Sequence, residues 1–318
     1  NTKIIRVTTM RIIFMGTPDF AVPCLQKLID AGHDICGVFT QPDKPKGRGK
    51  EMQFTPVKEV ALQHGIPVFQ PKKIRDAESI EKLREYPADV MVVVAFGQIV
   101  PKEILEMTPY GCINVHASLL PKYRGAAPIQ WSLIDGESVT GVTTMQMDVG
   151  LDTGDMLLKT EVPLAEDETG GSLHDKLSVL GGDLLIETLK GLEAGTIVPE
   201  KQDDSQSGEY ARMLDKSLGK IDFSMRAEEI ERLIRGLNPW PSAYTSYNNK
   251  TMKLWKARVV PGGEAVPGQV LAVDKKGFTV QTGDGALQIL ELQMEGKKRM
   301  DAGAFLRGCP LTAGEILG

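Results

Sequence analysis

No apolar run among the 318 residues approaches the roughly 20 needed to span a bilayer, and residues 1–9 lack the apolar stretch of a secretory signal. The expected setting is the cytoplasm. Cysteine is scarce: Cys24, Cys36, Cys112 and Cys309 lie far apart and form no Cys-x-x-Cys pair, so neither a disulfide framework nor a zinc site is expected. Gly16, after the first strand-like run, stands alone where a dinucleotide-binding turn needs Gly-x-Gly-x-x-Gly, and no phosphate-cradling Walker sequence occurs. No serine or cysteine occupies a Gly-x-Ser-x-Gly elbow. These absences turn the reading away from nicotinamide oxidoreductases, P-loop enzymes and enzymes with a covalent acyl intermediate.

What the chain does have is the composition of a protein with a full core, 42% hydrophobic and 25% charged. Short apolar runs at 12–15, 35–40, 90–95, 113–116 and 142–147 alternate with helical patterns at 22–31, 57–64, 80–85 and 129–134. Such alternation predicts an α/β fold: a Rossmann-like, mostly parallel sheet with helices on both faces. Val90-Met91-Val92-Val93-Val94 has no polar alternation, as a central strand buried on both faces requires. Met10 reads as the start of this fold, with residues 1–9 outside it. A longer helix is expected over 172–192, with Ser172 as its cap. Beyond it, 200–208 is polar, without a large apolar side chain, and suits a linker. One helical stretch at 227–235 then precedes β-like runs at 252–260, 268–273, 278–281 and 287–292, the pattern of a small OB-like β-barrel. The expected division is 10–199, a linker at 200–212, and 213–318. The net charge is −5, yet residues 209–318 hold 16 basic and 13 acidic side chains, so a nucleic-acid partner is not excluded.

Ligands of an open parallel sheet bind beyond the carboxyl ends of its strands, so the residues there are the candidates. Gly16-Thr17-Pro18-Asp19-Phe20 follows the first strand and Phe96-Gly97-Gln98-Ile99 the central one. Asn114-Val115-His116-Ala117-Ser118-Leu119-Leu120-Pro121 spans the end of the next, with Asn114 and His116 on one side of it. An amide and an imidazole at such a place can polarise a carbonyl and hold an oxyanion. They can equally be structural hydrogen-bonding groups, and these two residues alone leave both open. Asp152, flanked by Gly150 and Gly154, sits in a tight loop. A carboxylate beside an imidazole orients it and assists proton transfer; taken alone, the segment reads as an ordinary Asx turn. Direct transfer of an acyl group to an amine needs an oxyanion site and a proton acceptor, but neither a protein nucleophile nor a metal.

Together, Asn114-x-His116, Ser118-Leu119-Leu120-Pro121 and Asp152 resemble the signature of the folate-dependent formyltransferases, with no substitution in the triad. Four further stretches resemble the branch of that family whose acceptor is a charged tRNA. They are Gly16-Thr17-Pro18-Asp19-Phe20, Gln41-Pro42-Asp43 through Gly47-Arg48-Gly49-Lys50, Gly236-Leu237-Asn238-Pro239-Trp240-Pro241, and Glu295-Gly296-Lys297-Lys298-Arg299-Met300. The resemblance runs from Met10 to the C-terminus. It implies transfer of a formyl group from 10-formyltetrahydrofolate, the co-substrate, to the α-amine of methionyl initiator tRNA, with Asn114, His116 and Asp152 catalytic. Folate contacts are implied for Phe96, Gly97, Gln98, Ile99, Ser118, Leu119, Leu120 and Pro121. Phe20, Lys44, Lys46, Gly47, Arg48 and Lys50 match positions near the methionyl group and acceptor arm, while Lys297, Lys298 and Arg299 would grip the tRNA. The basic loop 41–50, with two prolines and two glycines, is expected to have little regular structure. Trp240 and Trp255 read as core residues. On the same resemblance 10–199 is catalytic and 213–318 binds tRNA, the whole acting as a monomer without a metal. A formyltransferase acting on an amino sugar nucleotide and a hydrolase releasing formate share the triad and remain alternatives. A catalytically silent RNA-binding module would not need it.

Overall fold

The computed structural model describes residues 8–318, so the expectation for residues 1–7 lies outside the described residues. In chain order the first elements are β1 (Arg11–Gly16), α1 (Val22–Asp30), β2 (Asp34–Phe39), β3 (Lys44–Lys46), β4 (Glu51–Gln53), α2 (Pro56–Gln63) and β5 (Val68–Phe69). Then come α3 (Ala77–Arg84), β6 (Val90–Val94), α4 (Lys102–Leu105), β7 (Cys112–His116), α5 (Pro128–Ile134), β8 (Val139–Gln146), β9 (Met156–Pro163) and α6 (Gly170–Ala194). The remainder holds α7 (Ala227–Gly236), β10 (Ala243–Tyr247), β11 (Lys250–Val260), β12 (Val270–Val273), β13 (Phe278–Gln281), β14 (Ala286–Met294), β15 (Met300–Asp301) and α8 (Ala302–Gly308). Two compact units result. One takes the described residues to Gly125 with Thr140–Val162 and His174–Tyr210; the other takes Ala126–Val139, Pro163–Leu173 and Ala211–Gly318.

The first unit is built on a seven-stranded sheet of order β5-β2-β1-β6-β7-β8-β9. It is parallel from β5 through β7, and β8 runs antiparallel to β7. All five residues of β6 are buried, which is why that strand carries no polar alternation. The chain leaves β1 toward β2 on one side and β6 toward β7 on the other. Their carboxyl ends therefore flank the point where the strand order reverses, the place where such sheets bind ligands. Beneath those ends Ile13, Met15, Phe39, Met91, Val93 and Phe96 share one apolar cluster. Helix α2 starts where Thr55 Oγ1 accepts from Lys58 N at 3.1 Å, with Pro56 in the first turn.

Two expectations are corrected here. The basic loop is not irregular: β3 and β4 pair antiparallel as Lys44↔Gln53, Pro45↔Met52 and Lys46↔Glu51. The reversal between them is made by positive φ at Gly47 (+74°) and Lys50 (+52°), and Pro45 is tolerated because a two-stranded ribbon has only edges. Helix α6 begins at Gly170, and Thr169 caps it instead of Ser172. Ser172 N donates to Thr169 Oγ1 (3.1 Å) and Thr169 N to Ser172 Oγ (3.0 Å), a reciprocal pair that places Ser172 inside the first turn.

In the second unit the antiparallel order is β10-β11-β14-β13-β12, with β15 on β14. The last residues cover both edges of this barrel-like sheet. Leu317 N donates to Gly268 O (2.9 Å) just before β12, and Gly318 N donates to Ser246 O (3.0 Å) in β10. Helix α7 buries Ala227, Ile230 and Ile234, one helical face, in a cluster with Leu254, Phe278 and Leu292. Trp255 is buried as expected, whereas Trp240 is 55% exposed and not a core residue. No helix among the described residues is long and apolar enough to cross a membrane.

Two outcomes follow from this packing. Ile230→Ala empties a fully buried position and is expected to lower stability by about 2–5 kcal/mol, read by urea unfolding. Burial pushes the Cys24 and Cys112 thiols up to about 12. In the native protein at pH 8 both should stay unlabelled by iodoacetamide while the part-exposed Cys309 reacts, as peptide mass spectrometry would show.

Candidate active site

Strand β7 presents Asn114 and His116 at the carboxyl ends of the parallel strands. Asn114 Nδ2 donates to Val93 O at 2.9 Å. A carbonyl can only accept, so this contact fixes which way the amide faces. Nδ2 keeps a second hydrogen, while Oδ1 is buried with no hydrogen-bond partner among the described residues. An orphaned buried acceptor costs about 1–3 kcal/mol, and a ligand N–H would relieve it.

The same logic sets the ring of His116, which is 7% exposed. Its Nε2 lies 2.8 Å from Tyr123 O. That carbonyl makes Nε2 the protonated nitrogen of the neutral imidazole and leaves the lone pair on Nδ1. Nδ1 faces Asp152 Oδ2 at 3.7 Å, beyond hydrogen-bond range yet close enough for the carboxylate to stabilise a proton arriving there. Asp152 Oδ2 also accepts from Gly125 N at 2.8 Å. The structure thus brings all three residues of the triad together.

Unusual backbone concentrates around them. Ala95 (φ +48°), Tyr123 (+58°) and Asp152 (+55°) are left-handed without being glycine, at a cost of order 1–3 kcal/mol each. A Cβ on Gly154 would lie 1.8 Å from Gln146 O, so the Asp152 loop can close only over a glycine. Nothing in the sequence marks Tyr123, whose backbone carbonyl sets the tautomer; a carbonyl leaves no trace in residue type.

The two segments expected to hold folate are placed differently from each other. The Phe96 ring is 1% exposed and supports its loop from below, while Ile99 is 79% exposed and supplies the open apolar surface. Phe96 O accepts from Thr17 Oγ1 (3.0 Å) and Gly97 O from Gln41 Nε2 (3.0 Å). Gln98 Nε2 donates to Gln41 Oε1 (3.1 Å) and Pro71 O (2.9 Å), and Gln98 Oε1 accepts from Ile74 N (2.6 Å). In the other segment Ser118 Oγ donates to Lys122 O (2.6 Å), and Thr143 Oγ1 donates to Ser118 O (2.7 Å) while accepting from Leu120 N (3.1 Å). Leu119 and Pro121 are half-buried, and Leu120 is buried. Phe20 is buried, edge-on to His174 with ring centroids 5.6 Å apart.

Lys44, Lys46, Gly47, Arg48 and Lys50 are all exposed on β3 and the turn after it. The base of this hairpin is anchored inward. Asp43 Oδ2 accepts from Lys58 Nζ (2.9 Å) and Oδ1 from Gln70 Nε2 (2.7 Å), and Gln70 Nε2 also reaches Gln41 O (3.1 Å). Gln41 therefore ties the hairpin base to the Phe96–Ile99 loop, a role the sequence reading missed. The Lys58 hydrogen bond holds the Asp43 carboxyl below its ordinary value. In the second unit Lys297 and Lys298 are exposed, but Arg299 is committed. Its guanidinium bonds both oxygens of Glu291 (2.9 and 3.2 Å) and lies over the Trp255 ring at 4.8 Å.

A formyl transferase profile matches residues 10–189, and a formyl transferase C-terminal domain profile matches 213–310. The chain belongs to the formyl transferase family. The methionyl-tRNA formyltransferase of Lachnospira eligens is 59% identical over 315 residues, covering 97% of this chain and 100% of the relative. That of Agathobacter rectalis is 60% identical over 308 residues, with 96% and 99% covered. Among solved structures, the sugar 3N-formyl transferase WlaRD, crystallised with dTDP and 5-N-formyl-THF, superposes with a TM-score of 0.66 at 20% identity, covering 92% of this chain and 100% of its own. HypX from Aquifex aeolicus in complex with tetrahydrofolic acid gives 0.63 at 17%, with 98% and 51% covered. At such identities these structures speak for the fold alone.

Asp43→Asn is expected to lower stability at pH 7 by about 1–2 kcal/mol, measured by urea unfolding. Because the carboxyl titrates below its ordinary value in the fold, its contribution is complete above about pH 4 and is lost as pH falls through the folded value. The difference between wild type and variant should therefore shrink in acid.

Proposed function

We propose that the protein transfers the formyl group of 10-formyltetrahydrofolate to the α-amine of methionyl initiator tRNA. The observation that carries this reading is that Asn114, His116 and Asp152 converge with complementary functions left open. Asn114 keeps one N–H and an unpaired Oδ1, His116 keeps the lone pair of Nδ1, and Asp152 faces that nitrogen. The acceptor is supported by the names of the relatives and by the exposed basic hairpin.

The chemistry follows from these open functions. The lone pair of the neutral amine forms a C–N bond to the formyl carbon as the carbonyl π pair moves onto oxygen. The free N–H of Asn114 stabilises that oxyanion, and Oδ1 accepts an N–H of the incoming amine. His116 Nδ1 takes the amine proton, and Asp152 stabilises the imidazolium. The oxyanion pair then re-forms the carbonyl as the bond from carbon to the folate nitrogen breaks; the pair of that bond stays on the nitrogen, which receives the proton from His116. Asp152 can also order a water in this relay.

Folate contacts are assigned to Phe96–Ile99 and Ser118–Pro121, with Ile99 the exposed apolar member. Phe20 and the hairpin cations Lys44, Lys46, Arg48 and Lys50 are assigned to the methionyl end and acceptor arm. Lys297 and Lys298 serve the tRNA backbone, with Arg299 beside them held by Glu291. On this reading 10–199 is catalytic, 200–212 links, and 213–318 binds tRNA. The enzyme acts in the cytoplasm, where initiator tRNA is charged and used, and as a monomer, its acceptor being itself large.

The deciding assay is incorporation of labelled formyl from 10-formyltetrahydrofolate into methionyl initiator tRNA, with elongator tRNA, an amino sugar nucleotide and no acceptor as parallel arms. Incorporation specific to the initiator is expected. Equal deformylation without any acceptor would establish a hydrolase, and label on the amino sugar alone would move the acceptor there. Asn114→Ala, His116→Ala and Asp152→Ala should each lower kcat by about 10²–10³ while leaving tRNA affinity unchanged, and near-normal turnover of the His116 variant would refute its role. Affinity for tRNA should fall linearly with salt on logarithmic axes, and neutralising Lys46 and Arg48 should flatten that slope.

A further inference from the structure

Gln202 belongs to the polar stretch read as a linker, yet it is 5% exposed. Its place is set by Glu200, which exchanges backbone hydrogen bonds of 2.8 and 2.9 Å with Met156 at the start of β9. From there the side chain reaches the loop that carries Asp152. Nε2 donates to Asp152 O at 2.8 Å and to Gly154 O at 2.7 Å, which uses both amide hydrogens. Oε1 accepts from Arg124 Nε at 3.0 Å, and Arg124, 6% exposed, also donates to Asp204 Oδ1 at 2.8 Å.

Arg124 stands between two residues that grip the site directly. Tyr123 O accepts from His116 Nε2, and Gly125 N donates to the Asp152 carboxylate. A glutamate at 202 would match the buried guanidinium better on charge alone. An amide is required because the loop offers two carbonyls, which only N–H groups can satisfy. Asp152 also needs such a hold. Its φ of +55° is unfavourable for a residue with a Cβ, and a relaxed backbone would swing the carboxylate away from His116.

We propose that Gln202 and Arg124 are positioning residues for the transfer. Through them the segment at 200–204 fixes the Asp152 backbone, and with it the separation of carboxylate and imidazole. The inference rests on Asp152 acting in the reaction.

The test compares full-length Gln202→Met, Gln202→Glu, Asp152→Asn and the Gln202→Met/Asp152→Asn double variant in the kcat and KM of formyl transfer, with folding checked by thermal melting. Either Gln202 variant that folds should lose about tenfold to a hundredfold in kcat, with KM for both substrates unchanged. Asp152→Asn should likewise lose kcat with KM unchanged. The double variant should be no slower than Asp152→Asn alone. A folded Gln202 variant with wild-type kcat, beside an impaired Asp152→Asn, overturns the positioning role; so do a loss that falls on KM instead of kcat and losses that multiply in the double variant. A fully active Asp152→Asn is a different result and removes Asp152 from the reaction itself.

Discussion

The proposed catalytic arrangement depends on the hydrogen bond from His116 Nε2 to the Tyr123 carbonyl. A backbone carbonyl cannot change its role, so it dictates the tautomer and thereby which nitrogen can act as base. Had Asp152 been bonded directly to Nδ1 of the neutral ring, that nitrogen would carry the hydrogen and Nε2 would turn its lone pair on a carbonyl. The 3.7 Å separation avoids this conflict. The carboxylate is satisfied meanwhile by Gly125 N, and its full attraction to His116 arises only once Nδ1 is protonated. Such an interaction, stronger when charge develops than before, is what accelerates a chemical step.

The strain around the site has the same origin. Tyr123 must be left-handed to aim its carbonyl at the ring, and Asp152 must be left-handed for its carboxylate to meet Gly125 N. Neither conformation is favoured locally, so both depend on a scaffold that does not yield. Buried His116 on β7 holds the Tyr123 carbonyl, and buried Gln202 holds the carbonyl of Asp152.

The fold was largely legible where burial dictates residue type. Strand β6 announces itself because both faces are covered, and α7 because Ile230 and Ile234 recur on one face. The β3–β4 hairpin was not legible, since an exposed two-stranded ribbon needs no apolar alternation and Pro45 argues against a strand. Strand β9 was missed for a related reason: Lys159, Thr160 and Glu161 interrupt its apolar residues. In the candidate site, Asn114 and His116 could be placed at a strand end and Asp152 in a tight loop, and the family resemblance singled the three out. What holds them did not stand out. The Tyr123 carbonyl is invisible to composition, and Gln202 lies in a segment whose polarity resembles that of solvent-exposed chain, although it is buried among carbonyls, a guanidinium and the Met145 thioether.

The hairpin shows how charge is shaped without changing its count. Lys44, Lys46, Arg48 and Lys50 are exposed, while Asp43, the acid at their base, is turned inward to Lys58 and Gln70. Its negative charge is thus compensated from beneath by a lysine that is only 14% exposed. Glu51 is left as the acidic side chain on the ribbon, so the solvent-facing surface keeps a positive excess suited to phosphates. An aspartate pointing outward at position 43 would give the same net charge and a weaker field, because what a polyanion meets depends on where charges face and not on their sum.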